Sequence, residues 1–146
     1  MKEIDNIFLR YFYLGNSKYA PGSVSSFIIL LIWFFIPNNI ILQLSIILFH
    51  IVLGFYFCYR FNQEMNFEED PSYIVIDEVA GMMLSLFLLP KTVLIYCLAF
   101  ILFRFFDILK PSIIDRSQEY KYGIGIMLDD IIAGFFTFLI ISGLLL

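Results

Sequence analysis

Asp77 with Glu78, the trio Arg104, Asp107 and Lys110, and Asp129 with Asp130 all stand inside or at the edge of strongly apolar stretches of a 146-residue chain. An ionised carboxylate beside hydrocarbon is costly, so several of them at one depth need a shared compensation. A divalent cation supplies it. Sites built from carboxylates and water suit Mg²⁺ or Ca²⁺, whereas zinc prefers nitrogen and sulfur. The number of carboxylates leaves one ion or two open. Ion pairing is the plainer account, but Arg104 and Lys110 can neutralise only Asp107 and one neighbour. Asp77, Glu78 and at least one of Asp129 and Asp130 then remain without a cation.

Spacing favours convergence. Arg104, Asp107 and Lys110 follow one another at three-residue steps and so share a helix face carrying both signs of charge. "DEVAG" (77–81) and "DIIAG" (130–134) repeat the pattern Asp-x-x-Ala-Gly. Each aspartate thus has a small residue one turn away, where helices can approach closely.

An anion-friendly turn lies in the same part of the sequence map. In "YAPGSVSS" (19–26), Pro21 and Gly22 are turn residues, and Ser23, Ser25 and Ser26 are either helix caps or hydroxyl donors. A helix start offers unpaired N–H groups and the positive end of the dipole, which suits a phosphate. "YGIGI" (122–126), containing Gly123 and Gly125, offers flexible backbone of a similar kind, and Lys18, Lys110 and Lys121 are placed to neutralise phosphate charge. A cation site beside such a turn, at headgroup level, implies chemistry on a phosphorylated amphiphile. Hydrolysis, phosphoryl transfer and alcohol exchange all remain open on these groups alone.

The elements that must position these residues are membrane helices. Hydrophobic residues make up 61% of the chain and charged residues only 15%, a balance outside the range of water-soluble domains. No second composition regime appears, so one domain over residues 1–146 is expected. Apolar runs fall at Val24–Ile36, Ile40–Tyr59, Tyr73–Leu89, Thr92–Phe106 and Ile126–Leu146, the first, third and fourth short of the roughly 20 residues that cross a bilayer. An all-α, polytopic integral membrane bundle of about five spans follows, or four if the short first run does not cross. The N-terminus lacks a signal-peptide pattern. Its apolar positions Ile4, Ile7, Phe8, Tyr11 and Phe12 recur at helical spacing and predict a short interfacial helix. Cys58 and Cys97 share no metal-ligand spacing with each other or with His50, and predict neither a disulfide nor a zinc site. His50 itself reads either as an intramembrane functional group or as a helix-packing hydrogen bond. With the N-terminus inside, every Lys and Arg except Lys91 falls on the cytoplasmic face. All the carboxylates above come to that face too.

Four blocks, "APGSVSS", "IVIDEVAGMMLSLFLLP", "FRFFDILKPSIIDR" and "GIGIMLDDIIAG", in this order, resemble the phosphatidylglycerophosphatase A family of bacterial membrane lipid phosphatases, from about Gly15 to the C-terminus. The resemblance implies Mg²⁺-dependent removal of the terminal phosphate of phosphatidylglycerophosphate, giving phosphatidylglycerol and inorganic phosphate, at the cytoplasmic face of the inner membrane. By position it implicates Pro21, Gly22 and Ser23; Asp77 and Glu78; Arg104, Asp107, Lys110 and Pro111, with Asp115; and Gly123, Gly125, Asp129 and Asp130. It casts Asp77, Glu78, Asp129 and Asp130 as metal ligands. Arg104 and Lys110 become phosphate partners, assisted by backbone at Gly22 and Ser23, and Asp107 a base or supporting group. The nucleophile is a water or an aspartate. Two departures stand out: Ser23 and Ser25 replace the family's usual Thr and Gly, and Tyr19 replaces a lysine, with Lys18 one place earlier.

Rivals are a CDP-alcohol phosphatidyltransferase, whose run of aspartates on neighbouring turns is absent here, and a small cation transporter, which would need a polar trail across the outer half. The partners expected are the lipid substrate and the bilayer, with no nucleic acid; the oligomeric state is not legible.

Overall fold

The computed structural model describes residues 3–65, 72–110, 114 and 123–146. The described residues form an all-helical bundle: α1 (Glu3–Leu9), a 3₁₀ turn (Leu14–Asn16), α2 (Pro21–Phe35), α3 (Ile40–Met65), α4 (Ile76–Ser85), α5 (Val93–Leu109) and α6 (Ile124–Leu144). Pro111, Asp115, Arg116 and Lys121 lie outside the described residues, as does Lys2.

At the centre is α4, the shortest of the helices after α1. It packs against α2, α3, α5 and α6, most extensively against α6, and Ile76, Asp77, Val79, Ala80, Gly81, Met82, Met83 and Ser85 are all buried. A helix enclosed on every side needs no polar face. The apolar run Tyr73–Leu89 therefore is not one long helix. It turns helical at Ile76 and stops at Ser85, Leu88 takes a left-handed φ of 54°, and the following Pro90 disfavours helix at Leu89. Ten residues reach only about 15 Å, half a bilayer core.

The outer helices carry the opposite pattern. α3, over Ile40–Gln63, and α6 are long and apolar enough to cross a membrane, while α2, with 15 residues, and α5, with 17, are shorter. Large side chains such as Leu31 and Phe35 on α2, Ile41 and Val52 on α3, Leu94 and Ile101 on α5, and Phe135 and Leu139 on α6 point outward. An exterior this apolar is what a lipid-facing surface requires.

Buried hydroxyls satisfy themselves within their own helices. Ser25 and Ser26 donate to the Gly22 carbonyl (2.8 and 2.7 Å), Ser85 to Gly81 (3.0 Å) and Thr137 to Ala133 (2.9 Å). These four hydroxyls are thereby satisfied without a partner from another helix.

One end of the bundle is closed by neutral amides. Buried Gln43 donates to the Pro37 carbonyl (3.0 Å) and to Asn38 Oδ1 (3.1 Å) and accepts from the Leu88 N–H (2.8 Å). Lys91 donates to the carbonyls of Phe34 (2.9 Å) and Ile36 at the C-terminus of α2, where a cation complements the helix dipole. The end of α2, the start of α3 and the chain after α4 therefore meet there. The first turns of α2, α4 and α6 and the last of α5 gather elsewhere, around the charged side chains.

The N-terminal helix packs rather than floats. Leu9 is buried, Phe8 stacks on Phe57 (4.7 Å between centroids), and Asp5 pairs with Arg60 (3.3 Å). Beyond it, Phe12, Tyr13 and Tyr19 remain exposed.

Candidate active site

Asp77 and Glu78 occupy the first turn of α4, and Asp130 the second turn of α6. These three carboxylates offer oxygens that all lie within 4.8 Å of one another. Asp77 and Asp130 are 3% and 2% exposed, too little for water to screen their repulsion.

The repeat seen in the sequence explains how they meet. A Cβ on Gly81 would lie 2.5 Å from the Asp130 carbonyl oxygen, and one on Gly134 would lie 2.3 Å from the Gly81 carbonyl oxygen. Only glycine at both places lets α4 and α6 touch backbone to backbone. Asp77 and Asp130, one turn before these glycines, are carried to one centre by that contact.

The other charges sort into pairs beside it. Arg104 Nη1 pairs with Asp107 Oδ2 at i,i+3 on α5. Lys110 Nζ reaches Asp129 Oδ2 at 2.6 Å, and the Asp130 backbone N–H donates to Asp129 Oδ1 at 3.0 Å. Among the described residues these two pairs use Asp107 and Asp129, and neither of the two belongs to the trio that converges. Asp107 stays within electrostatic reach of Glu78 and Asp130, and Arg104 within reach of Glu78. Asp129, expected as a fourth metal ligand, is not in the converging group: both its oxygens are engaged, one by Lys110 and one by the backbone of Asp130. A salt bridge at this depth is a stronger claim on it than sequence adjacency to Asp130.

The donor chemistry of the centre fits a hard divalent cation. The three groups offer only oxygen, and among the described residues the buried atoms Glu78 Oε2 and Asp130 Oδ2 have no hydrogen-bond partner. Buried acceptors left bare are costly unless something positive meets them.

The start of α2 completes the arrangement. A Cβ on Gly22 would fall 2.1 Å from Glu78 Oε1 and 3.1 Å from Arg104 Nη1, so the helix opens directly onto this carboxylate and this guanidinium. Pro21 stands at the first position of α2, the preceding Ala20 is left-handed (φ 42°), and no side chain caps the helix. Val24 N–H bonds to the Ala20 carbonyl (3.1 Å), and proline has no N–H, so the Gly22 and Ser23 N–H groups stand at the open end. Ser25 and Ser26 are not donors to the site, because both turn back to Gly22. Serine in place of glycine at 25 is accommodated by that bond, fully buried. Ser23 is half-buried and Lys18 exposed on the approach to the turn.

Gly123 belongs elsewhere. Its left-handed φ of 74° and a hypothetical Cβ 2.5 Å from the Cys58 carbonyl seat it against α3, and Gly125 is buried in the first turn of α6. Gly123 is thereby a packing position against α3. His50 is also accounted for by packing. Its Nδ1–H donates to the Ile46 carbonyl (2.8 Å), and Nε2 therefore accepts from the Tyr11 hydroxyl (3.0 Å). Gln43, a lone amide one turn into an apolar run, was the unread signal for the closed far end.

Comparison with known proteins gives the family. The phosphatidylglycerophosphatase A family model matches residues 7–145. The chain belongs to that family. Phosphatidylglycerophosphatase A from Escherichia coli K12 is 33% identical over 82% of this chain and 71% of its own length, and the Haemophilus influenzae Rd protein of the same name is 38% identical over 62% and 56%. A Bacteroides thetaiotaomicron protein provisionally named phosphatidylinositol-3-phosphatase is 33% identical over 88% of this chain and 85% of its own. No solved structure matches. As a member of the phosphatidylglycerophosphatase A family the chain is a phosphatase, a hydrolase of phosphoric monoesters.

Proposed function

We propose that this phosphatase hydrolyses the terminal phosphate of phosphatidylglycerophosphate, with Mg²⁺ held by Asp77, Glu78 and Asp130, at the cytoplasmic face of a bacterial inner membrane. The observation that carries the reading is the meeting of two buried carboxylates, Asp77 and Asp130, and half-buried Glu78 with the uncapped start of α2 and with Arg104. Mg²⁺ bound there would polarise the phosphoryl oxygens and offset their negative charge.

The chain's own groups do the rest. Among the described residues Arg104 Nε has no hydrogen-bond partner, which leaves it for a phosphate oxygen, while Asp107 pairs with the guanidinium from one turn away. The Gly22 and Ser23 N–H groups face the same anion. Lys110 and Asp129 brace the backbone of Asp130. Water attacks phosphorus, the bond from phosphorus to the glycerol oxygen breaks, and a proton passes to that oxygen, leaving phosphatidylglycerol and inorganic phosphate.

The same layout supports a membrane arrangement of five passes. α2, α3, α5 and α6 cross or nearly cross the bilayer, and α4 with the residues through Leu89 forms a fifth pass enclosed by the others. Lys91 sits at the outer end, and, among the described residues, Arg104 and Lys110 at the inner one, in keeping with the charge distribution.

The test is phosphate release from detergent-dispersed phosphatidylglycerophosphate, phosphatidylinositol 3-phosphate and phosphatidate, each with Mg²⁺ or with chelator. Stoichiometric phosphate from the first substrate, lost on chelation, is expected. Preference for phosphatidylinositol 3-phosphate would move the substrate assignment toward the name given to the Bacteroides relative. Headgroup exchange without phosphate would favour a transferase.

A further inference from the structure

The start of α4 carries Asp77 and Glu78, yet nothing local fixes it. Its first residue is preceded by Val75, whose side chain cannot cap, and no side-chain cap bond is present. What holds it comes from the far N-terminus. The Leu9 carbonyl accepts from the Val75 N–H at 2.9 Å. Gly15 lies so close to the Tyr73 carbonyl that a Cβ would stand 2.1 Å from its oxygen. The Arg10 guanidinium sits over the Tyr73 ring, 4.5 Å from its centroid, and bonds Asn16. The segment is in turn bolted to α3 by Asp5 on Arg60 (3.3 Å), Phe8 on Phe57, and Tyr11 on His50 (3.0 Å). From the same segment the chain runs on to Gly22, which touches Glu78 from its other side.

We propose that the N-terminal segment Glu3–Asn16 is a brace for the metal-binding carboxylates, with Arg10 as its positioning residue acting through Tyr73. The inference rests on the cation site proposed above. It assigns a task to the part of the chain that carries none of the conspicuous motif residues. Three left-handed residues in succession, Tyr11, Phe12 and Tyr13 (φ 40°, 53° and 70°), make a costly backbone. That cost is intelligible if the turn must deliver Arg10 and Gly15 to one side and Tyr11 to the other.

Mn²⁺ binding to purified, detergent-solubilised full-length protein, followed by electron paramagnetic resonance without substrate, separates the two ideas. Wild-type protein should bind Mn²⁺ and Asp77→Asn should not; if wild-type protein fails to bind, the cation site falls and the brace with it. Given wild-type binding, Arg10→Ala and Tyr73→Ala should each weaken Mn²⁺ affinity by about three- to tenfold, the range of one cation–π contact. The double variant should be no weaker than either single one, because both remove one contact. Tyr73→Phe, which keeps the ring, should bind like wild type. Thermal unfolding of each variant without metal distinguishes bracing from general damage. Wild-type Mn²⁺ affinity in a folded Arg10→Ala protein, or losses that simply add in the double variant, would overturn the brace while leaving the cation site standing.

Discussion

Gly81 and Gly134 face each other across the α4–α6 contact with no room for a methyl group on either: the carbonyl of Gly81 would lie 2.3 Å from a Cβ at 134. This contact places the carboxylates of two helices at one centre. It is backbone against backbone, so neither side can yield by rotating a side chain. Gly81→Ala and Gly134→Ala should each destabilise the protein by about 1–3 kcal/mol, the usual cost of overpacking, and should lower phosphate release by separating Asp77 from Asp130. Thermal unfolding in detergent, read beside activity, checks both. Wild-type stability in either variant would mean that the helices do not meet there.

Asp77→Asn and Asp130→Asn keep the side-chain shape and remove one charge from a crowded, buried group. Activity should fall by about a thousandfold, equivalent to ~4 kcal/mol of transition-state stabilisation. Metal-free stability should hold or rise, since repulsion among Asp77, Glu78 and Asp130 is relieved. Substantial phosphate release from either variant would remove that residue from the site.

Lys110 and Asp129 form a pair whose acidic partner is almost wholly enclosed, with 23% and 2% of the side chains exposed. Lys110→Met takes a cation away from a buried carboxylate and should cost about 3–5 kcal/mol. Lys110→Met combined with Asp129→Asn should be more stable than Lys110→Met alone. Denaturation midpoints of the two proteins decide it, and a double variant weaker than the single one would contradict the pairing.

Gly22→Ala tests the mouth of the site. The added methyl meets Glu78 Oε1 at 2.1 Å, the free end of a flexible side chain, and not backbone. Glu78 can therefore swing away at little cost in stability, unlike the neighbours of Gly81. Stability should change by less than about 1 kcal/mol while activity drops ~100-fold, the penalty for misplacing a catalytic group by about an ångström. An equal loss of both would show that Gly22 serves packing alone.

Much of this was legible along the chain. The apolar runs announce helices because a bilayer leaves backbone groups no partners outside their own segment, and charges set among those runs mark a site because hydrocarbon rejects them. The repeated Asp-x-x-Ala-Gly pattern pointed to the α4–α6 contact because small residues recur where helices touch. Among the described residues, Arg104 and Lys110 pair with Asp107 and Asp129.

Residue types and their order thus determined the helical class, the family and the set of acidic and basic groups from which a site could be drawn. Only the tertiary structure decided that α4 is a short enclosed core element, that Lys110 claims Asp129, that Gly22 opens onto Glu78, and that Arg10 reaches Tyr73. Hydropathy reports how much lipid a segment tolerates but not which neighbour will enclose it. Which carboxylate a lysine neutralises depends on distances between helices, and those are set by the packing of glycines and side chains far apart in the chain.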